Sequence, residues 1–89
     1  VNRDIAILVN SSISNFDITK TIFEVSSNLL KEVKLFDIYE DENLGQDIKS
    51  MAYSLQFQSN DRTLTTKEVD KEITLIIKNL QTKLKAQQR

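Results

Sequence analysis

The apolar residues of this 89-residue chain switch between the spacing of a strand and the spacing of a helix, and the order of those switches constrains the fold more than any other feature. Strand spacing marks residues 3–9, 31–40 and 50–58, and helical spacing marks residues 15–28 and 66–84. The polar tail, residues 85–89, is either a frayed helix end or a short edge strand. The predicted order is therefore strand, helix, strand, strand, helix and a short final strand.

Two right-handed β-α-β units interleaved in this order predict an α+β fold, the ferredoxin-like split βαβ arrangement (β-α-β-β-α-β). That arrangement is a four-stranded antiparallel sheet with both helices on one face. The other face of the sheet stays open. We expect the chain to be one domain, residues 1–89, and, since it begins at Val1 and enters a strand almost at once, a piece of a longer chain.

The ends of the two helices have side-chain signals of their own. Ser14 is the predicted N-cap of the first helix and Asn28 its C-cap, and we expect Phe16 and Phe23 to widen the apolar stripe of that helix. Thr65 and Glu68 have the spacing of a capping box, which predicts the start of the second helix.

The second strand contains a slip in its alternation. Val33 and Leu35 share one parity, whereas Phe36 and Ile38 share the other. A strand with one buried face tolerates such a slip only through a β-bulge, or where both of its faces are covered. We expect Phe36 and Ile38 to point into the core after the slip. Asp37 and Tyr39 would then project together from the open face, as either a ligand-reading pair or an ordinary strand end.

The third strand has the most regular alternation in the chain. Its apolar set, which we expect to be core, is Met51, Tyr53, Leu55 and Phe57. The opposite face is uncharged and contains several small side chains: Ser50, Ala52, Ser54, Gln56 and Gln58. Such a face is a flat platform able to form hydrogen bonds.

Composition excludes several classes of function. The chain contains no cysteine and no histidine, so the usual general bases, nucleophiles and transition-metal ligands are missing. Residues 1–47 carry nine acidic and four basic residues, and residues 48–89 carry four acidic and eight basic. Unspecific binding of nucleic acid needs several neutralised phosphates, which this balance does not favour. The acidic loop at residues 40–47 lacks the spacing of a Ca²⁺ loop, and its composition favours a solvated hairpin connection.

Four motifs with matching spacing resemble a known family. They are Arg3-Asp4-Ile5-Ala6, Leu35-Phe36-Asp37-Ile38-Tyr39, Lys49-Ser50-Met51-Ala52 and Asp61-Arg62-Thr63-Leu64-Thr65. Together they resemble the ferredoxin-fold anticodon-binding domain at the C-terminus of the bacterial phenylalanyl-tRNA synthetase β subunit, over essentially the whole chain. The resemblance implies recognition of the tRNA(Phe) anticodon, mainly its first base, guanine, by Asp37, Tyr39 and Ser50.

The chemistry of those three residues suits an unpaired guanine. A carboxylate accepts hydrogen bonds from guanine's N1–H and N2–H₂ groups, an aromatic ring stacks on the base, and a hydroxyl adds an adjustable contact. Further candidates for RNA contact are Ala52, Arg3, Lys34, Lys49 and Arg62. Pairing of Arg62 with Asp61 or Asp4, or a role in tying down its turn, competes with RNA contact.

For the parent protein, the resemblance implies a phenylalanine–tRNA ligase that uses ATP and Mg²⁺ outside these 89 residues, which carry no catalysis and no cofactor. It also implies an α-subunit partner, an α2β2 tetramer and a cytoplasmic location, with neither DNA nor a membrane as ligand. The competing interpretation is a ferredoxin-like protein-interaction or ligand-binding regulatory domain, because fold alone does not decide function. Lys85 and Gln88 stand where the family usually has glycine and leucine, which weakens the predicted last strand.

Overall fold

The computed structural model describes residues 1–26, 28–40 and 42–88, leaving aside the side chain of residue 42. Its strands are β1 (Asn2–Asn10), β2 (Leu30–Glu40), β3 (Ile48–Phe57) and β4 (Gln87–Gln88). Its helices are α1 (Asn15–Val25) and α2 (Thr66–Leu84), and a single 3₁₀ turn, Glu42–Leu44, lies between β2 and β3. Asp41 of the predicted acidic loop and Arg89 of the tail lie outside the described residues.

The strands form one antiparallel sheet in the order β2-β3-β1-β4. This is the predicted α+β split βαβ topology. The polar tail contributes the edge strand β4, in which Gln87 pairs with Leu8 and Gln88 with Ile7. The connection into β4 passes through Lys85, which ends α2 in the left-handed region at φ 55°. Glycine adopts that region at least cost, so the left-handed cap is less favourable at a lysine than at a glycine.

The core lies between the helices and one face of the sheet. β1 contributes Ile5, Ile7 and Val9, as its alternation predicted. The other large, fully buried side chains are Ile18 and Ile22 of α1, Met51, Tyr53, Leu55 and Phe57 of β3, and Val69, Ile76 and Leu80 of α2. The Tyr53 hydroxyl of β3 donates to Asn15 Oδ1 of α1 at 2.8 Å, which connects the sheet to the helix layer, and Asn79 Nδ2 of α2 donates to the Thr21 carbonyl of α1 at 2.9 Å, which connects the two helices.

Three of the predicted helix-end signals are confirmed. Ser14 Oγ accepts from the Asp17 N–H at 3.1 Å at the start of α1. At the start of α2, Thr65 Oγ1 accepts from the Glu68 N–H at 3.2 Å, and Glu68 Oε2 accepts from the Thr65 N–H at 3.1 Å. Each bond satisfies an N–H that has no partner within the first helical turn.

The prediction for the end of α1 is wrong. The helix ends at Val25, because Ser26 is already extended at ψ 142° and its hydroxyl donates to the Ile22 carbonyl. A serine that bonds locally to the backbone competes with continuation of the helix. Phe16 and Phe23 are also not part of the buried stripe, since they are 71% and 48% exposed. They are seven residues apart, so they share a flank of α1 that faces away from Ile18.

The parity slip in β2 is a β-bulge. Leu35 pairs with Tyr53 and Asp37 pairs with Ala52, so Phe36 is an extra residue with no Cα partner on β3. Phe36 and Ile38 are each 54% exposed, and the prediction that they enter the core is wrong. β2 is an edge strand with a neighbour on one side only, and neither residue belongs to the side chains packed against the core.

Candidate nucleic-acid interface

The face of the sheet opposite the helices, called the open face here, is organised in rows of side chains across β2, β3 and β1. The register places these rows in the order Tyr39–Ser50–Leu8, Asp37–Ala52–Ala6, Lys34–Ser54–Asp4 and Glu32–Gln56–Asn2. Gln87 of β4 extends the first row. Successive residues on one face of a strand are about 6.8 Å apart, and neighbouring strands are about 4.8 Å apart. The open face is therefore a grid of nearly fixed dimensions.

Asp37 and Tyr39 both lie on this open face. The bulge at Phe36 brings Asp37 opposite Ala52 and Tyr39 opposite Ser50, as the slip in the sequence predicted. Asp37 is exposed and Tyr39 is 44% exposed. A carboxylate and a phenol ring thus stand in adjacent rows at the end of the sheet where the β2–β3 hairpin turns.

The surface of the sheet beside Asp37 consists of the methyl groups of Ala52 and Ala6 and is called the alanine floor here. Ala52 and Ala6 complete the Asp37 row, and each is partly exposed. Because neither side chain rises above the sheet, a planar ring can lie flat on this part of the face, beside the carboxylate. Ala6 was not among the predicted site residues. The alternation of β1 predicts that Ala6 lies on the open face. Its position beside Ala52, however, depends on the pairing of β1 with β3.

Ser50 lies on the open face but is only 4% exposed. It occupies a central strand, with the larger side chains of Tyr39 and Leu8 on either side in its row. The structure therefore brings Ser50 together with Asp37 and Tyr39 on one face, while the surrounding side chains cover it. Contact between Ser50 and a ligand therefore requires neighbouring side chains of its row to move.

The structure separates two of the further candidates from this face. Arg3 shares the helix-side parity of Ile5, and its Nε lies 3.7 Å from Asp70 Oδ1 on α2. Lys49 pairs with Val9, which also places it on the helix side. Lys34, by contrast, pairs with Ser54 and is exposed on the open face. Of these three candidates, Lys34 alone lies on the face of Asp37.

Arg62 has a structural partner on α2. Its Nη1 donates to both carboxylate oxygens of Glu68, at 2.6 and 2.7 Å, and not to Asp61 or Asp4. This bond holds the pKa of Glu68 below its ordinary value. The pair ties the turn at residues 59–65 to the first turn of α2, which is the structural role that competed with RNA contact.

The charge of the open face does not suit a run of phosphates. Among the described strand residues that pair on this face, the cation is Lys34 and the anions are Asp4, Glu32 and Asp37. A nucleic acid on this face would therefore be bound mainly through its bases. The described residues contain no group of side chains suited to a metal ion. None of the helices in the described part of the chain is long and apolar enough to cross a membrane.

Comparison with known proteins decides the family. The sequence model of the ferredoxin-fold anticodon binding domain matches residues 1–89, the whole chain. The chain belongs to that family. This anticodon-binding domain has the fold that the order of its apolar spacings predicted, and its open face carries the residues that the resemblance singled out.

The relatives of this anticodon-binding domain are phenylalanine–tRNA ligase beta subunits. That of Listeria innocua is 41% identical over 86 residues, which are 97% of this chain and 11% of the relative. Those of Bacteroides fragilis and Streptococcus thermophilus are 42% and 43% identical over 89 residues, which are 100% of this chain and 11% of each relative. The chain thus spans about a tenth of the length of these relatives.

Proposed function

We propose that the open face recognises an unpaired guanine, the first anticodon base of tRNA(Phe), through Asp37 and Tyr39. The observation that supports this proposal is the register: with the bulge at Phe36, both residues lie on the open face, Asp37 beside Ala52 and Tyr39 beside Ser50. Membership of the anticodon-binding family favours RNA over the competing protein-interaction role. The scarcity of cations on the open face supports recognition of a base rather than of the phosphate backbone.

Asp37 supplies the specificity in this proposal. Guanine presents two adjacent donors, N1–H and N2–H₂, on its Watson–Crick edge, and a single carboxylate can accept from both. Adenine, cytosine and uracil each place a ring acceptor or a carbonyl oxygen at one of those two positions. The negative charge of Asp37 repels such an acceptor, so the carboxylate both selects guanine and rejects the other bases.

Tyr39 and the alanine floor hold the base. Stacking of an unpaired base on an aromatic ring contributes about 1–3 kcal/mol. The ring of Tyr39 stands about 6.8 Å along β2 from Asp37, which lets it contact the base whose edge the carboxylate reads. Ala52 and Ala6 leave room for the base beside both. Ser50 adds a hydrogen bond once the neighbouring side chains of its row have moved.

We further propose that these 89 residues act within a longer phenylalanine–tRNA ligase β chain, as a C-terminal domain that carries no catalysis. In that setting the ligase joins phenylalanine to tRNA with ATP and Mg²⁺ bound elsewhere, works with an α subunit in an α2β2 tetramer, and resides in the cytoplasm. The names and lengths of the relatives support the longer ligase β chain, and the remaining features of this setting rest on that assignment.

The test is replacement of Asp37 in a ligase that carries this domain. Asp37→Ala removes the charged acceptor, a net loss of about 1.5–3 kcal/mol, so kcat/KM for tRNA charging should fall about 10- to 100-fold. ATP–pyrophosphate exchange with phenylalanine, which needs no tRNA, should be unchanged.

Glu32→Ala is the matched control, because Glu32 is also an exposed carboxylate of β2 on the open face, two rows away from Asp37. It should leave charging within about 2-fold of the unmodified enzyme, as expected for a surface change of less than about 0.5 kcal/mol. Unchanged charging by Asp37→Ala, or an equal loss in both variants, would refute guanine recognition by Asp37.

A further inference from the structure

On the open face, the row next to that of Asp37 contains two charged side chains that do not stabilise the described part of the fold through an ion pair. It consists of Lys34, Ser54 and Asp4, one residue from each of the three longer strands. Lys34 and Asp4 are exposed and Ser54 is partly exposed. Neither charged residue forms an ion pair with another residue in the described part of the chain.

The geometry of the sheet explains why Lys34 and Asp4 do not pair with each other. They flank β3 on opposite sides, so their strands are about 9.6 Å apart, twice the spacing of neighbouring strands. Ser54 between them has a short side chain. The row is therefore a shallow site with a cation at one end, a hydroxyl in the middle and a carboxylate at the other end.

The distance from the Asp37 row to the Lys34 row suits the next nucleotide of an unstacked strand. The two rows are about 6.8 Å apart. This is twice the rise of about 3.4 Å per nucleotide in a stacked strand, so two bases bound on successive rows would have to be splayed apart. Single-stranded loops present their bases in this way, and four-stranded sheets in other RNA-binding folds hold two or three bases side by side.

We propose that Lys34, Ser54 and Asp4 form a second nucleotide subsite, for the nucleotide adjacent to the guanine read by Asp37. This inference rests on the proposed function, since it places the second nucleotide relative to the first. Lys34 contacts the phosphate of that nucleotide. Asp4 and Ser54 contact the edge of its base.

The carboxylate of Asp4 determines which bases fit this subsite. It accepts from the exocyclic amino group of adenine, cytosine or guanine. Uracil has no amino group, and its single N–H donor lies between two carbonyl oxygens that the carboxylate repels. The subsite therefore prefers a base with an amino group to uracil, and Asp4 determines this preference.

The experiment measures affinities of the 89-residue chain for anticodon stem-loop RNAs by NMR titration. One series varies the base at the guanine position, and two further series vary the base on its 5′ and 3′ sides. In one of the two flanking series, the unmodified chain should bind RNAs with an amino-bearing base about 10-fold more tightly than the RNA with uracil, as expected for one charge-assisted hydrogen bond.

Asp4→Asn should reduce that flanking preference to about 2-fold or less and keep the preference for guanine, whereas Asp37→Asn should do the reverse. Glu32→Gln, an exposed carboxylate one row further along, is the control that should change neither. Amide spectra establish that each variant folds, and Ser54→Ala, which keeps the charges, should weaken the same flanking preference.

The outcomes separate the two proposals. Retained guanine preference with no base preference at either flanking position, or with a flanking preference that Asp4→Asn leaves intact, would refute the second subsite alone. Absence of guanine preference in the unmodified chain would refute the proposed function, and the second subsite with it.

Discussion

Tyr53 shows how a single residue connects the helix layer to the sheet beneath the open face. Its side chain is fully buried, and its hydroxyl donates to Asn15 Oδ1 at the start of α1. Burial raises the pKa of the Tyr53 phenol from 10.0 to about 12. The phenolate is therefore disfavoured in the folded state relative to the unfolded state.

This shift predicts a loss of stability at alkaline pH. Because the folded-state pKa is raised, the contribution of Tyr53 is fully present below pH 10 and is lost as the pH rises from 10 to about 12. Urea denaturation across that range should show the free energy of unfolding of Tyr53→Phe falling less steeply with pH than that of the unmodified chain. The comparison isolates Tyr53, because every other side chain is the same in both proteins.

Asn15→Ala is the control for this prediction. It removes the hydrogen-bond acceptor and leaves the phenol in its buried position, so the steep dependence on pH should remain although the overall stability falls. If the free energies of unfolding of Tyr53→Phe and of the unmodified chain fall equally steeply above pH 10, ionisation of Tyr53 does not contribute to the loss of stability.

At the scale of elements, the bulge in β2 keeps Asp37 and Tyr39 on the open face although the strand contains an extra residue, Phe36. Without Phe36, the side chains from Leu35 through Asp37 to Tyr39 would alternate regularly between the two faces of the sheet. Bulges bend a strand and redirect the side chains beside them, and they are frequent next to functional sites. The bulge in this domain lies immediately before Asp37.

Deletion of Phe36 should accordingly preserve the register of β2. Asp37 would follow Leu35 directly and remain opposite Ala52, and Tyr39 would remain opposite Ser50. Since Phe36 is 54% exposed, little buried apolar area is lost. NMR contacts between Tyr39 and Ser50 and between Asp37 and Ala52 should persist, and the thermal midpoint should fall only slightly.

Deletion of Ile38 is the matched comparison, because Ile38 is an equally exposed apolar residue two positions further along. It leaves Asp37 and Tyr39 adjacent in the chain, so one of them must leave the open face. One of the two cross-strand contacts should then vanish. Loss of both contacts after deletion of Phe36 would mean that the bulge is needed for the pairing of β2 with β3.

At the scale of the whole molecule, the distribution of charge limits how the domain can bind RNA. The molecule is 46 Å long and 21 Å wide in both other directions, and the chain carries a net charge of −1. Arg3, Lys49 and Arg62 are directed to the helix side or to an ion pair with Glu68. Among the described residues that pair across the open face, the cation is Lys34.

Binding of anticodon stem-loop RNA should therefore depend only weakly on salt. Each phosphate neutralised on a single strand contributes a slope of about −0.7 to a plot of log affinity against log salt concentration, so one or two contacts predict a slope between about −0.7 and −1.4. Titrations between about 50 and 200 mM salt measure this slope. Lys34→Gln should reduce its magnitude by about 0.7, and a slope steeper than about −4 would indicate a phosphate surface elsewhere on the molecule.

Features that depend on neighbours along the chain could be predicted from the sequence. The element order, the caps at Ser14 and Thr65 and the outward parity of Asp37 and Tyr39 follow from spacings of one to four residues, which local backbone geometry controls. The same local rules allowed either explanation of the parity slip, a bulge or a strand covered on both faces.

Which of these residues become neighbours in the sheet depends on the tertiary structure. The pairing of β1 with β3 brings Ala6 and Asp4 beside the predicted platform, and the edge position of β2 leaves Phe36 and Ile38 exposed. Neither fact is encoded in a local spacing, because strand neighbours are chosen by contacts between distant segments around a shared core. Sequence periodicity identified the face, and strand pairing assembled its rows.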